Sequence, residues 1–455
     1  MNRPPDSLLL RKDALAIFQA GIDAADPYRA IQHCLRVNDR RLEIALSPES
    51  GAPIRAGDWP KIHLIAFGKA ACAMAKAARE IIPAPLLTEN GIVVTNTENV
   101  VEIPGLDVFG AAHPLPDESG LKAAKRIAEK LRLANPGELA LILISGGGSA
   151  LLPAPLPPVT LDEKAQTTSL LLACGATINQ INCVRKHLSS LKGGGMARLA
   201  APADLHALIL SDVLGDDLSS IASGPTVPDE TTFADAIEIL QSKDIWARLP
   251  TNVKTVLQQG ADGLIPETPK PSDAVFDRCA HTLIGSNTIS LKAAEKTAKS
   301  LGYEVRIYSE HLCGEVRTAA FEFATHAKSL IEQGLQRPTA LLAGGETTVT
   351  LNGNGRGGRN QEMGLAFALA AEHCQLNAEW TFLSGGTDGR DGPTDAAGAL
   401  IDPQTLRRMR DAGVIPETRL ADNDSYAALD SANDLLVTGA TGTNVADLQV
   451  LLLRS

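Results

Sequence analysis

A triple glycine between two serines, Ser145, Gly146, Gly147, Gly148 and Ser149, follows a run of apolar residues and has the composition of an anion-binding loop. Adjacent glycines let the backbone turn sharply and bring N–H groups close to a ligand, and the serine hydroxyls add donors for phosphate oxygens. A turn that only joins a strand to a helix is the alternative interpretation. The stretch therefore predicts a phosphate-binding loop, with that alternative open.

Lys69 lies where the strand LIAFG meets the following helix. An ammonium group beside a helix N-terminus is electrostatically unfavourable unless an anion is shared between them. An exposed helix lysine is the alternative. Asp212 and Asp216 follow another predicted strand, where a carboxylate can hold Mg²⁺ near a triphosphate or cap a helix. We expect Asp212 to be a metal ligand, and the role of Asp216 stays open between the two.

A basic cluster, Arg185, Lys186, His187 and Lys192, leads into a second triple glycine that begins at Gly193. Basic residues beside glycines suit phosphate binding, although for Lys186 and His187 a solvated helix face that ends in a glycine cap is the alternative. We therefore expect phosphate contacts from the glycine end of this cluster.

Residues 352–362, NGNGRGGRNQE, contain G-x-G-x-x-G from Gly353 to Gly358, between a predicted strand TTVTL and a predicted helix. Taken alone this is a dinucleotide fingerprint, but no clear strand-ending acid for a ribose follows at the usual distance. Arg356 and Arg359 better fit a carboxylate or a transferred phosphoryl group, because the planar guanidinium binds two oxygens at once. A solvent-exposed arginine without a ligand is the alternative, and it applies more to Arg356 than to Arg359.

Several further features concern single residues and the whole composition. His113 follows a predicted strand and is either a structural histidine or a substrate contact. The chain has 455 residues and a formal net charge of −11, which gives no support to nucleic-acid or anionic-membrane binding. Its seven cysteines lack a CxxC spacing, and no stretch approaches the roughly 20 apolar residues of a membrane span. We therefore expect a soluble, cytoplasmic protein.

The elements that must position these residues alternate between near-continuous apolar strands and helices, the pattern of a parallel sheet with both faces covered. One opening helix is predicted at residues 8–36. Prolines and charges interrupt all periodicity between Gly260 and Asp273, which we interpret as a linker. The expected fold class is α/β with two domains, residues 1–255 and 275–455.

Taken together, the motifs resemble the glycerate 2-kinase family, whose bacterial type was formerly labelled hydroxypyruvate reductase of tartrate degradation and carries a MOFRL C-terminal domain. The resemblance covers nearly the whole chain and rests on FGKAA, AAHPLPD, ISGGGSALL, KHLSSLKGGG, SDVLGDD, ASGPTVPD, GGETTVTL, GRGGRNQE and SGGTDGRDGPTDAAGA. It implies an N-terminal Rossmann-like three-layer α/β/α domain with a mainly parallel sheet. It also implies a C-terminal three-layer α/β domain with a mixed sheet, and an active site in the cleft between the two domains.

The resemblance further implies ATP-dependent phosphorylation of D-glycerate at its 2-hydroxyl, with Mg²⁺, to give 2-phospho-D-glycerate. The family associates activity with the lysine of FGKA and the arginine of GGRNQE, which are Lys69 and Arg359 here. Phosphoryl transfer mainly needs positioning and positive charge around the oxygens of the transferred group. The expected roles are ATP phosphate binding by residues 145–149, Lys192 and Gly193; metal binding by Asp212 and Asp216; neutralisation of the phosphoryl group by Lys69; and glycerate binding by Arg359, His113 and Asn360.

Two other functions stay open from the sequence. An NAD(P)H-dependent hydroxypyruvate reductase would use Gly353 to Gly358 for its dinucleotide, and a non-catalytic sensor of sugar acids would bind ligand without turnover. The expected partners are small molecules, D-glycerate and ATP, with no nucleic acid and no membrane, and a homodimer is an open expectation.

Overall fold

The computed structural model describes residues 5–49 and 51–454 of the chain. Within those residues the strands are β1 Leu35–Asn38, β2 Arg41–Ala45, β3 Ile54–Gly57, β4 Ile62–Phe67, β5 Gly91–Asn96, β6 Leu106–Ala111, β7 Leu139–Ile144, β8 Asp204–Leu210, β9 Cys279–Gly285, β10 Glu304–Leu312, β11 Thr339–Gly345, β12 Glu379–Gly386, β13 Gly398–Ile401, β14 Leu435–Leu436 and β15 Asp447–Arg454. The α-helices are α1 Pro5–Ala24, α2 Pro27–Cys34, α3 Ala71–Ile81, α4 Glu118–Arg132, α5 Gly148–Leu151, α6 Leu161–Ala173, α7 Ile178–His187, α8 Gly195–Ala200, α9 Phe233–Ser242, α10 Thr251–Ala261, α11 Asn287–Ser300, α12 Val316–Glu332, α13 Arg359–Cys374, α14 Thr405–Asp411, α15 Pro416–Ala421 and α16 Ser425–Ser431.

Residues 27–284 form one compact unit, the parallel-sheet unit, around a sheet with the strand order β6-β5-β4-β7-β8-β9. The pairings from β6 to β8 are all parallel. Every residue of β4 and of β7 is buried, because these central strands are covered on both faces. One face packs against α4 and α8. Helix α3 also contacts β4, β5 and β7, but none of its residues belongs to the hydrophobic core that α4 and α8 form with the sheet. It therefore covers the opposite face of the sheet.

Residues 5–26 and 285–454 form the second unit, the mixed-sheet unit, with the strand order β10-β11-β15-β12-β13-β14. Only the β10-β11 pair is parallel among the described strands of this sheet. Helices α12 and α13 pack on one face through Phe323 and Phe367, and α1 and α11 pack on the other through Phe18 and Leu291. The predicted α/β class, with a mainly parallel and a mixed sheet, is confirmed.

The two units differ from the expected division of the chain in two places. Helix α1 packs in the mixed-sheet unit, where Ile17 and Phe18 join the core formed by α11 and the sheet. The segment expected as a linker, residues 260–273, belongs to the parallel-sheet unit, where the Asp229 N–H donates to the Pro269 carbonyl oxygen at 2.9 Å. Prolines interrupt regular secondary structure but leave tertiary contacts possible, so the interrupted periodicity does not mark the boundary.

Some predicted elements also differ in extent. The opening helix is two helices, α1 and α2, with Pro27 at the start of the second. Residues 347–351, expected as a strand, make one isolated bridge at Thr348. The antiparallel sheet of β1 to β3 and the strand β15 were not predicted. No helix of the described residues has the length and apolar character to cross a bilayer.

Candidate functional site

The loop after β7 presents a row of backbone donors at the carboxyl edge of the parallel sheet. Gly147 has a φ of +83°, a left-handed conformation that favours glycine, and α5 begins at the next residue. The N–H groups of residues 146–149 donate to no acceptor in the described parts of the chain. Consecutive N–H groups at the start of a helix form a concave anion site. The loop therefore offers free donors of the kind that bind an anion, and its phosphate-binding role stays a prediction.

The ends of β4 and β7 are joined around this loop. The Lys69 N–H donates to the Gly146 carbonyl oxygen at 2.9 Å, and the Ala70 N–H donates to Ser145 Oγ at 3.0 Å. A Cβ on Gly68 would lie 2.2 Å from Ser145 Oγ, so no larger residue fits at this position without a shift. The main chain thus holds Lys69 directly beside the loop.

Lys69 and His113 extend over the glycines of the loop. A Cβ added to Gly147 would lie 3.3 Å from Lys69 Cε and 3.2 Å from His113 Nε2. Burial lowers the pKa of His113, and the positive charge of Lys69 lowers it further, while Glu98 opposes both effects. The structure therefore brings these two predicted site residues together at the loop.

Asp212 reaches the same loop from the end of β8. A Cβ on Gly146 would lie 2.1 Å from Asp212 Oδ2. Burial raises the pKa of Asp212, and Lys69 opposes that shift. Asp216 lies in the next turn, where its N–H donates to the Val213 carbonyl oxygen. Residues 5–49 and 51–454 contain no group of three or more His, Cys, Asp or Glu side chains that could hold a metal.

The contact between Gly146 and Asp212 leads to a prediction about binding. Gly146→Ala is expected to displace the loop and to weaken ADP binding by at least about tenfold, because the N–H contacts to phosphate would be lost. Isothermal titration calorimetry measures this. The control is Gly137→Ala, whose Cβ meets no atom within 4 Å; its φ of +82° adds a backbone strain that Gly146→Ala lacks, so it shows how far general destabilisation lowers affinity. Equal affinities in both variants and the wild type would refute the loop's role.

Lys192 approaches the loop from the second triple glycine. Its side chain is buried, and its Nζ donates to the carbonyl oxygen of Ser149 at 2.8 Å and to Ser149 Oγ at 2.9 Å. The Gly193 N–H donates to the Ser223 carbonyl oxygen at 3.0 Å, so a phosphate contact by this N–H would require that bond to break. The second triple glycine therefore positions Lys192. Lys186, for which a solvated face was the alternative, is buried and pairs with Asp229 at 3.3 Å.

Arg359 lies in the mixed-sheet unit as the first residue of α13. Its Nε and Nη2 donate to the two carboxylate oxygens of Asp447 at 2.6 and 2.9 Å, and its Nη1 lies 2.9 Å from Glu346 Oε1. Asp447 is fully buried, whereas Glu346 is nearly half exposed. Burial disfavours the charged guanidinium, but the bonds and charges of both carboxylates outweigh burial and raise the pKa of Arg359. The buried Asp447 therefore binds Nε and Nη2 of the guanidinium, and the partly exposed Glu346 binds Nη1, where a ligand carboxylate could replace it.

The N-terminus of α13 is already occupied by the carboxylate of Asp391. The N–H groups of Asn360 and Gln361 donate to its two carboxylate oxygens at 3.1 and 2.8 Å. Burial raises the pKa of Asp391 to about 6, although these two hydrogen bonds and Arg359 oppose the shift. Asn360 Oδ1 accepts from Ser384 Oγ at 2.7 Å. The N–H groups of Asn360 and Gln361 are thus not available to an anion.

The segment with the G-x-G-x-x-G spacing lacks the features of a dinucleotide loop. It does not follow a strand, and the N–H groups of residues 352–356 donate to acceptors of residues 422–424 at 2.8 to 3.1 Å. Arg356 lies over the Tyr426 ring, 4.4 Å from its centre. Since the N–H groups of residues 352–356 are already bound to protein acceptors, the spacing alone does not make a nucleotide site.

Comparison with protein families finds two matches in this chain. Residues 13–258 match the model described as a domain of unknown function, DUF4147, and residues 339–447 match the MOFRL family. The second match contains Arg359 and Asp447, and the first contains the glycine loop, Lys69 and Asp212.

Comparison with known proteins finds relatives that span almost the whole chain. The chain is 38% identical to a protein of Pyrococcus horikoshii named glycerate 2-kinase, with 98% of each chain covered. It is 39% identical to one of Thermotoga maritima named D-glycerate 2-kinase, with 99% of each covered, and 41% identical to a putative hydroxypyruvate reductase of Agrobacterium vitis, with 96% and 93% covered. A crystal structure of glycerate kinase from Thermotoga maritima superposes with a TM-score of 0.86 at 38% identity, covering 99% of this chain and 100% of that one.

Proposed function

The chain belongs to the glycerate 2-kinase family, and from that premise we propose that it transfers the γ-phosphoryl group of ATP to the 2-hydroxyl of D-glycerate. The 2-hydroxyl oxygen bonds to the γ-phosphorus while the bond from that phosphorus to the bridging oxygen of ADP breaks and the hydroxyl proton is released. The products are 2-phospho-D-glycerate and ADP. The observation that carries this proposal is the row of unbound N–H groups at residues 146–149 beside Lys69 and Asp212.

The parallel-sheet unit supplies the groups that bind ATP. The N–H groups of residues 146–149 donate to the phosphate oxygens, and Lys69, which extends over them, offsets the charge on the group in transfer. Asp212 fits a magnesium ligand because Mg²⁺ is commonly held by one or two carboxylates together with substrate phosphates and water. When bound, the ion would offset further negative charge on the phosphates. Asp216 follows in the next turn and is a second candidate ligand.

The glycerate carboxylate is assigned to Arg359. Its Nη1 faces Glu346, whose side chain is nearly half exposed and can leave, while Asp447 keeps the guanidinium in place. A carboxylate of the substrate would then replace one protein carboxylate by another, so the charge around the guanidinium stays balanced. His113, beside the loop, and Asn360, next to Arg359, are the further candidate substrate contacts.

One assay tests the proposed reaction against its competitor. Purified protein is incubated with D-glycerate, ATP and Mg²⁺, and 2-phosphoglycerate is resolved from 3-phosphoglycerate; a parallel sample receives hydroxypyruvate and NADH. We expect 2-phosphoglycerate alone in the first sample and no oxidation of NADH in the second. The reductase is kept as a competitor because of the name of the Agrobacterium relative, but the bound N–H groups of residues 352–356 disfavour it. NADH oxidation without phosphorylation would reverse the conclusion.

Two broader expectations accompany this function. The seven cysteines are all unpaired in the structure, which is typical of a reducing compartment and supports a cytoplasmic location. A homodimer stays a prediction that light scattering with size-exclusion chromatography will decide.

A further inference from the structure

Three cations lie near one another in the parallel-sheet unit without a carboxylate partner. Lys164 and Lys192 are 6% and 3% exposed, and Arg185 is half-buried. The charge of Arg185 acts on both lysines, and that of Lys164 acts on Lys192. None of the three forms an ion pair with any carboxylate in residues 5–49 and 51–454. Burial of cations without counter-charges is strongly unfavourable, so an anion that supplied the missing charge would stabilise the charged forms of these side chains.

The hydrogen bonds of these side chains leave many donors without an acceptor. Lys164 Nζ donates to the carbonyl oxygens of Pro153 at 2.6 Å and Leu188 at 3.1 Å. Lys192 Nζ donates twice to Ser149, so each ammonium group has one N–H left. The guanidinium of Arg185 donates to no group in the described parts of the chain, although it carries five N–H groups.

The surroundings of Lys192 contain no anion that compensates for this charge. Ser149 of α5 and Ser223 are neutral, and the titratable groups that act on Lys192 are Lys164 of α6 and Arg185 of α7. Asp229 approaches the neighbouring Gly193, but its carboxylate oxygens are bound by Lys186 at 3.3 Å and by Thr268 at 3.1 Å. Among the described residues, the charges that act on Lys192 are therefore those of two cations and of no carboxylate.

We infer that Lys164, Arg185 and Lys192 form an anion subsite beside the glycine loop, which binds a phosphoryl group of the nucleotide. The inference rests on the proposed function, since it assigns part of the ATP site. Ser149 is shared between the loop and Lys192, so an anion held by the loop lies next to the cluster. A phosphate offers several oxygens to a bidentate arginine and to the remaining lysine donors, and its charge replaces the missing carboxylates.

Binding at this subsite is coupled to proton uptake. In the free protein, burial and then the charge of Arg185 lower the pKa of Lys164 to about 7, and burial lowers the pKa of Lys192 well below its ordinary value. At pH 8 the amine form of Lys164 therefore predominates. An anion favours the charged form, so its arrival raises both pKa values and draws protons from solvent.

The test is calorimetric titration of ADP with Mg²⁺ into the full chain at pH 8 in two buffers of different ionisation enthalpy, which gives the net protons exchanged. We expect net uptake by the wild type of up to about one proton for each lysine. Arg185→Gln is expected to weaken ADP binding by about tenfold and to reduce the uptake, because without the arginine the lysines keep more of their protons in the free protein. Lys192→Met should reduce both further. Lys125→Met, on the exposed face of α4, is the matched control and should equal the wild type.

The outcomes separate the subsite from the proposed function. Failure of the wild type to bind ADP at all would contradict the proposed function itself. ADP binding without proton uptake, or with uptake and affinity unchanged by Arg185→Gln, would overturn the subsite while leaving the kinase intact. Because Arg185 is half-exposed and makes no bond in the described chain, this variant decides the matter even if Lys192→Met does not fold.

Discussion

Replacing Lys69 by methionine is expected to lower kcat for 2-phosphoglycerate formation by about 10²- to 10³-fold and to leave the protein folded. The ammonium group forms no ion pair with a carboxylate in the described residues, although its charge acts on Asp212, so the substitution breaks no ion pair of the free protein. The bond that positions this residue comes from its N–H to Gly146, which methionine keeps. The substitution should therefore remove stabilisation of the transition state, because a positive charge above the loop is needed most while the phosphoryl group is in transfer.

The control for this experiment lies on the adjacent helix. Lys76 is exposed on α3 and lies over the Tyr28 ring, 5.9 Å from its centre. Lys76→Met should retain wild-type turnover, and both variants should retain the wild-type melting temperature. Steady-state kinetics with thermal unfolding measures both properties. Turnover of Lys69→Met within a few fold of the wild type would show that Lys69 is not part of the catalytic site.

Replacing Arg359 by alanine is expected to have two separate effects. Turnover should fall by at least about 10²-fold, because the carboxylate of glycerate loses its partner. Stability should fall by about 3 kcal/mol, because the fully buried Asp447 would be left as an uncompensated charge. Urea denaturation measures the free energy of unfolding, and initial rates at varied glycerate and ATP show which substrate loses affinity.

A double variant separates those effects. In Arg359→Ala with Asp447→Asn, the buried charge is absent, so most of the lost stability should return while turnover stays low. Asp447→Asn alone should lose less stability than Arg359→Ala. The amide oxygen of the asparagine can still accept a hydrogen bond from the partly exposed arginine. Recovery of turnover in the double variant would reduce Arg359 to a structural residue.

Part of the fold was predictable because the local pattern of apolar residues indicates which strands are buried. The predicted strand LIAFG lies in β4, and the apolar run before Ser145 is β7, since continuous apolar runs between glycines and helices leave few other interpretations. Strand β15 was missed, although all of its residues but the last are buried. It pairs with β11 and β12, which lie about 60 to 110 residues earlier in the chain, and no local signal records such a pairing. Asp447, the partner of Arg359, begins this strand and was missed with it.

The sequence by itself determined the chemistry that this chain offers: glycine-rich turns at strand ends, a lysine and an arginine beside them, and a carboxylate at the end of β8. Only the tertiary structure decided which donors are available to a ligand. Both segments are rich in glycine, but distant residues 422–424 supply acceptors to the N–H groups of residues 352–356, whereas the N–H groups of residues 146–149 meet no acceptor in the described chain. A backbone N–H binds the acceptor that folding brings to it, and a sequence motif does not record where that acceptor comes from.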